Sequence, residues 1–352
     1  MTTTWFAFGV PILLKIDSRI PAAEPGDYAA IAKFILRITE DIWEHKNFEL
    51  IYDCYAEDGP IHTLGGEVIG AEAVVRNTVK TLAAFPDRKM HADGLVISGE
   101  GDTGYYSSHR IGSHMTNLGH SDFGPATGKS AHVVTIADCV IRDYVIVEEW
   151  LARDNLHLVE QLGLDTHAIA KAQAAIEPDA PSLAWRNEQL QRLRNLPPAT
   201  TAEYPDNPIT EPGLFAAAFI SDLWDHRDAK QVSDAYSKSC VVNVPPGLKI
   251  EGRIEAKNHF TRLLASLTDT RGTLDHHCMS LRDNNELDLA IRWTVRGIHA
   301  DGGFDCPGGG AEVLILGISH WRLDKNGIVE DWTLYDQLAI MRQIYAQQPG
   351  SD

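Results

Sequence analysis

Apolar positions early in the chain recur with helical spacing. Tyr28, Ile31, Ile35, Ile38 and Ile42 follow one another at steps of three and four, one face of an amphipathic helix. Phe48, Ile51, Tyr52 and Tyr55 form a shorter stripe, and Val75, Val79 and Leu82 a third that begins near Gly70. Later the period changes to two. Leu287, Leu289, Ile291, Trp293 and Val295 alternate with mostly polar partners, as do Leu314, Leu316 and Ile318, and glycine-rich loops such as 301–303 and 308–310 separate these runs. Helices followed by several antiparallel strands predict an α+β architecture.

The pattern occurs twice. Trp43-Glu44-His45-Lys46 matches Trp224-Asp225-His226-Arg227 at an offset of 224 − 43 = 181 residues, and Asp53 and Tyr55 match Asp234 and Tyr236 at the same offset. Ile146-Val147-Glu148-Glu149-Trp150 matches Ile328-Val329-Glu330-Asp331-Trp332 at 328 − 146 = 182 residues, and Asp154 then matches Asp336. The helical stripes return as Phe215, Phe219 and Leu223, then Val232 and Tyr236, then Phe260, Leu264 and Leu267. Two tandem copies of one domain are therefore expected, at 28–170 and 213–348. Between them lies a proline-rich linker, 171–212, whose stretch 182–195 has helical composition. Residues 1–27 are expected to form an extension. Its apolar run Trp5 to Leu14 is short and follows no basic residue, so it is expected to pack on the core rather than to act as a signal peptide.

The chain has 352 residues, 31 Lys plus Arg and 49 Asp plus Glu, for a formal charge of −18. Such a field repels nucleic acid and anionic membranes, and no apolar run reaches the roughly 20 residues of a membrane span. Five scattered cysteines without a CxxC predict a reducing compartment, the cytoplasm. No GxGxxG, GxxxxGK[ST] or GxSxG motif occurs, so no nucleotide cofactor and no serine hydrolase chemistry are expected. Metal binding is not expected either. His276-His277 and the His109, His114, His120 series lack HExxH spacing, and neighbours on a strand face opposite ways.

A family resemblance then emerges. The run from Ile291 to His299, the later Gly327-Ile328-Val329-Glu330-Asp331-Trp332 with Asp336, and the equivalents Gly112-Ser113-His114, Glu149-Trp150, Asp154 and Gln161-Leu162-Gly163 resemble the SnoaL-like polyketide cyclase branch of the nuclear transport factor 2-like superfamily. The resemblance implies two cone-shaped domains, each a curved antiparallel sheet wrapped on about three helices around a cavity. It also implies that the chain pairs its copies as a pseudo-dimer, with a homodimer of chains as a further possibility. Fold alone does not specify the reaction.

Alternation on the strands nominates site residues. On the last strands, Trp150 shares a face with Asp154, and Trp332 with Asp336. The resemblance assigns proton transfer to these aspartates. A strand-end Asp also caps a following helix, and the residues alone leave both roles open. One strand earlier, Asp138 and His320 interrupt aliphatic stripes, which offers an Asp138–Asp154 pair and a His320–Asp336 relay. A buried, satisfied hydrogen-bond pair is the alternative. His62, its counterpart Asn243, His109, Tyr55, Tyr236 and Trp293 complete the candidate substrate-binding set. Counting from Ile111 and Val295, His109 takes the place of Trp293; counting from the Gly-Ser-His run, it takes that of Thr294. The expected function is cofactor-independent acid/base catalysis on a small organic substrate: lyase, dehydratase, isomerase or cyclase chemistry. Epoxide-type hydrolysis is a second reading, weakened because Arg153 has the opposite parity to Asp154. A non-catalytic binding module is a third.

Overall fold

The computed structural model describes residues 3–7, 10–14, 25–100, 103–200, 203–282 and 284–348, with side chains from Tyr28 onward. Near the N-terminus, β1 (Thr3–Ala7) and β2 (Val10–Leu14) pair as an antiparallel hairpin. The expected packing of this extension on the core lies outside the described residues. The chain divides into two compact units. The first holds Met1–Thr63, Glu67–Asp165 and Cys278–Asn284, and the second Leu64–Gly66, Thr166–His277 and Asn285–Asp352.

The first unit begins with α1 (Pro25–Trp43) and α2 (Leu50–Cys54), then β3 (Pro60–Thr63), β4 (Gly66–Ile69) and α3 (Gly70–Ala84). Four strands and a helix follow: β5 (Lys89–Glu100), β6 (Gly104–Thr116), β7 (Ser130–Arg142), β8 (Val145–Arg153) and α4 (Asn155–Gln161). The stripe predicted for α1 is buried throughout, from Tyr28 to Ile42, and packs on Leu95, Ile97 and Cys139 of the sheet. Burying five such side chains contributes about 1.5–3 kcal/mol each before entropy is counted. The sheet has the order β4-β3-β8-β7-β6-β5. Its β3–β8 pair is parallel, with Ile61 opposite Glu149, so the expectation of a wholly antiparallel sheet is corrected to a mixed one. A parallel pair needs a long crossover, and α3 with the four strands β4 to β7 supplies it.

The second unit repeats the plan. After α5 (Thr166–Ala174) and α6 (Ala180–Arg194) come α7 (Pro212–Ser221), a π-helical turn at Asp222–His226, α8 (Ala229–Asp234), β9 (Tyr236–Val244), β10 (Leu248–Glu251) and α9 (Arg253–Ala265). Then follow β11 (Leu267–Leu281), β12 (Leu287–His299), β13 (Glu312–Asp324), β14 (Gly327–Tyr335) and α10 (Gln337–Tyr345). Its sheet order is β10-β9-β14-β13-β12-β11, again with one parallel pair, β9–β14. The Asp179 carboxylate caps α6 by accepting from the Ser182 N–H at 2.9 Å.

The repeated Trp-acid-His-base motif is structural. Glu44 accepts the Met90 N–H at 3.0 Å, and Asp225 accepts the Gly272 N–H at 3.0 Å, so each carboxylate ties the end of the first helical segment to the first long strand. The basic residues that follow, Lys46 and Arg227, both adopt left-handed backbone (φ 59° and 58°) and end the helical path.

Candidate active site

In the first unit, α1, α3 and the concave face of the sheet enclose a cavity of about 150 Å³. A cavity of ~150 Å³ holds a benzene-sized guest. The α1 side is mainly apolar, with Ile35, Ile38 and Ile42, α3 adds the polar Asn77, Thr78 and Thr81, and the sheet wall carries most of the ionisable groups. A β-bulge interrupts β7–β8 between Val140 and Ile141. Ile146 faces inward before it, and Glu149, Leu151 and Arg153 face inward after it. On β7 the inward set is Thr135, Ala137 and Cys139, and on β6 it is His109 and Ile111.

Glu149 is 5% exposed and accepts a hydrogen bond from the Tyr55 hydroxyl at 3.1 Å. Burial pushes its carboxyl up to about 7. The Tyr55 bond and the positive charge of Arg153 oppose that rise, and the charge of Asp138 adds to it. Tyr55 itself is raised well above the usual phenol range by burial and by Glu149, so it stays a neutral donor.

Burial lowers His109 to about 4, which leaves the imidazole neutral at pH 7, and its Nε2 has no hydrogen-bond partner among the described residues. Thr135 Oγ1 is also buried without one. Such atoms cost free energy unless a ligand or water satisfies them. Arg88 is lowered to about 9 by burial and by Arg153, and so remains a cation at neutral pH. It donates to Ser113 Oγ at 3.1 and 3.3 Å and lies 4.3 Å from the centroid of the Trp43 ring. The cavity thus combines one proton acceptor tuned to neutral pH, two guanidinium groups and a neutral imidazole.

The second unit retains the acid but not the space. Asp331 accepts from the Tyr236 hydroxyl at 2.5 Å and from Thr333 Oγ1 at 2.7 Å, and burial raises it to about 6. Its cavity is only about 20 Å³, room for little more than one water. The ladders explain the loss. Ile111 pairs with Thr135, which pairs with Arg153; in the second unit Trp293 pairs with Gly317, which pairs with Tyr335. Trp293 therefore stands where the first unit has Ile111, and His109 stands in the place of Ile291, so neither expected register, Trp293 or Thr294, holds. Its indole lies over Gly317, where an added Cβ would meet Cζ2 at 2.1 Å, and Nε1 donates to Ser319 Oγ at 3.0 Å.

The cavity receives some of the residues expected there. Tyr55 and His109 line the first cavity, and Tyr236 and Trp293 the second. Asp154 and Asp336 do not. Their carboxylates cap α4 and α10, accepting the N–H of His157 at 3.2 Å and of Ala339 at 3.0 Å. Asp138 lies between Ser108 and Trp150 on the sheet face turned away from the cavity, and His320 between Ala290 and Trp332 on the corresponding face of the second sheet. His62 also faces away. It bonds Glu67 and Glu148, both at 3.0 Å, and lies against Trp150 with ring centroids 5.2 Å apart and planes tilted by 33°. Trp332 Nε1 donates to Glu330 Oε1, and Asn243 donates to the Asp331 carbonyl, both outside the cavity lining. Parity failed for two reasons: the bulge shifts β8 by one residue, and both faces of β7 are apolar enough to be buried. The sequence did carry a signal for the overlooked acids. Tyr55 with Glu149 and Tyr236 with Asp331 recur at nearly constant offset, phenol and carboxylate together.

Among the described residues no helix is long and apolar enough to cross a membrane, and the five cysteines are buried and in no disulfide. No curated protein matches the chain significantly. Solved structures do. The chain is similar to TsrD from Streptomyces laurentii, at 18% identity over 40% of this chain and 98% of that one (TM-score 0.34), and to IdmH from Streptomyces antibioticus, at 20% identity over 40% and 100% (TM-score 0.32). The family model for SnoaL-like polyketide cyclase matches twice, at residues 33–162 and 215–344. Over those two stretches, most of its length, the chain belongs to the SnoaL-like polyketide cyclase family as a tandem pair of domains.

Proposed function

We propose that the first unit is a cofactor-independent acid/base catalyst for a small carbonyl compound and that the second unit is a catalytically silent partner. Glu149 takes a proton from the carbon next to the carbonyl. The negative charge that develops on the substrate oxygen is stabilised by the Arg153 and Arg88 guanidiniums, and His109 meets a second polar group of the substrate with its neutral imidazole. The protonated Glu149 then returns the proton, either to another carbon, which gives an isomer, or to the alkoxide left when the enolate attacks a second carbonyl and closes a ring. Atoms balance with no added reductant or oxidant.

The observation that carries this reading is the buried Glu149, raised to about 7 beside a cavity that also holds cations. A base poised near neutral pH is what proton abstraction needs. The membership of the chain in a cyclase family supports the same reaction class. The test is proton–deuteron exchange at carbon next to a carbonyl, followed by NMR across a panel of small mono- and dicarbonyl compounds. The native chain and Asp331→Asn should exchange alike, and Glu149→Gln should not. Equal exchange by Glu149→Gln would overturn the proposal.

A further inference from the structure

Away from the cavity, three neighbouring strands of the first sheet bring three histidines together. His91 of β5, His114 of β6 and His132 of β7 place one ring nitrogen each so that all three lie within 4.8 Å of one another. The rings of His114 and His132 are 4.4 Å apart between centroids, and His91 lies 5.5 Å and 5.9 Å from them. None of these histidines is close to another in sequence. His114 and His132 are direct partners across the β6–β7 ladder, and His91 pairs with Gly112, two residues before His114. Cross-strand partners and residues two apart share a sheet face. The cavity-lining residues of β6 and β7 have the opposite parity, so the three imidazoles stand on the outer face, half-buried or exposed.

From this arrangement we infer that His91, His114 and His132 form a binding site for a divalent transition-metal ion of the zinc class. Imidazole suits zinc, copper, nickel and cobalt, and three histidines with an open fourth position are a recognised zinc ligand set. Two further features fit. Gly112 leaves the space over which the His91 ring lies, because a Cβ there would meet Nε2 at 2.3 Å. Asp93, the residue at the β5 bulge between Ala92 and Gly94, sets its carboxylate 3.4 Å from His91 Nε2. A carboxylate beside a ligand imidazole orients the ring and raises its basicity. The ion would lie on the face opposite Glu149, which points to a role in stability or assembly rather than in proton transfer.

The test is calorimetric titration of the full chain with Zn²⁺ at pH 7.5, repeated with Co²⁺ followed by its visible absorption. One saturable ion per chain is expected, with a tetrahedral cobalt spectrum and weaker binding at pH 5.5, where protons compete for the imidazoles. His114→Gln and His132→Gln, each checked for unchanged circular dichroism, should weaken binding by more than the ~10–100-fold that loss of an outer-shell partner costs. His120→Gln, outside the cluster, should leave it unchanged. Absence of saturable binding, or equal affinity in the His114 and His132 variants, would overturn the inference.

Discussion

The Tyr55 hydroxyl points at Glu149 across 3.1 Å, and the Tyr236 hydroxyl meets Asp331 in the same place of the second unit. Each pair joins the segment after the second helix to the last long strand and buries a carboxylate against a phenol. One pair faces a cavity large enough for a single-ring molecule. The other faces packed tryptophan. The duplicated chain therefore keeps the acid twice and the space once.

Removing the charge of Glu149 separates function from stability. Glu149 has a folded value of about 7 against an ordinary 4.5, so its contribution to stability is fully present below pH 4.5 and is lost as pH rises through 7. Glu149→Gln should abolish carbonyl-linked exchange yet raise stability at pH 8 by about 1–3 kcal/mol, with the gain vanishing at pH 4.5. Urea denaturation at the two pH values checks this. A variant destabilised at pH 8 would contradict it.

The plug of the second unit can be moved to the first. Ile111→Trp combined with Thr135→Gly reproduces the Trp293–Gly317 pair across the equivalent ladder position. Turnover should fall to background while far-ultraviolet circular dichroism stays native. Persistent turnover would show that the cavity is not the site.

In the second unit, Gly317→Ala presses a methyl group into the buried Trp293 indole. A loss of about 1–3 kcal/mol is expected from overpacking, read by denaturation, with exchange activity unchanged.

Asp154 tests the distinction between cap and catalyst. Asp154→Ala removes the acceptor for the His157 N–H and should cost about 0.5–2 kcal/mol, whereas Asp154→Asn keeps a capping oxygen and should cost less. Turnover should survive both. Loss of turnover in a stable Asp154→Asn chain would return that residue to the reaction.

His62 should behave as a structural cation. Burial lowers its basicity, but the hydrogen bonds to Glu148 and Glu67 outweigh that and leave it raised above 6.5. Its contribution is present below pH 6.5 and is lost as pH rises through the raised value. His62→Gln should therefore cost more at pH 6 than at pH 9, by about 1 kcal/mol given the half-exposed Glu148 partner. Equal cost at both values would count against the ion pair.

The duplicated α+β plan was legible in the sequence because helical and strand periods are properties of short segments. The Ile31–Ile42 stripe and the Trp43/Trp224 motif needed no tertiary information. The identity of the acid was not legible in the same way. A single bulge at Val140–Ile141 inverts the face of every later residue on β8, so Trp150 and Asp154 read as inward when Glu149 and Arg153 are. The aliphatic residues around Asp138 and His320 misled for a related reason: a strand buried on both faces has no polar side to mark the outside. The His91, His114 and His132 cluster was invisible because only strand pairing brings it together. The one pattern that did point to the acids was the joint recurrence of tyrosine and carboxylate.

The most direct test of the central claim is an infrared difference titration of the carboxyl groups, with Glu149→Gln and Asp331→Asn used to assign the bands. A protonated carboxyl band that disappears with a midpoint of about 7, and is missing from Glu149→Gln alone, is the predicted result. A midpoint for Glu149 near 4.5 would mean a solvated carboxylate and would contradict the account.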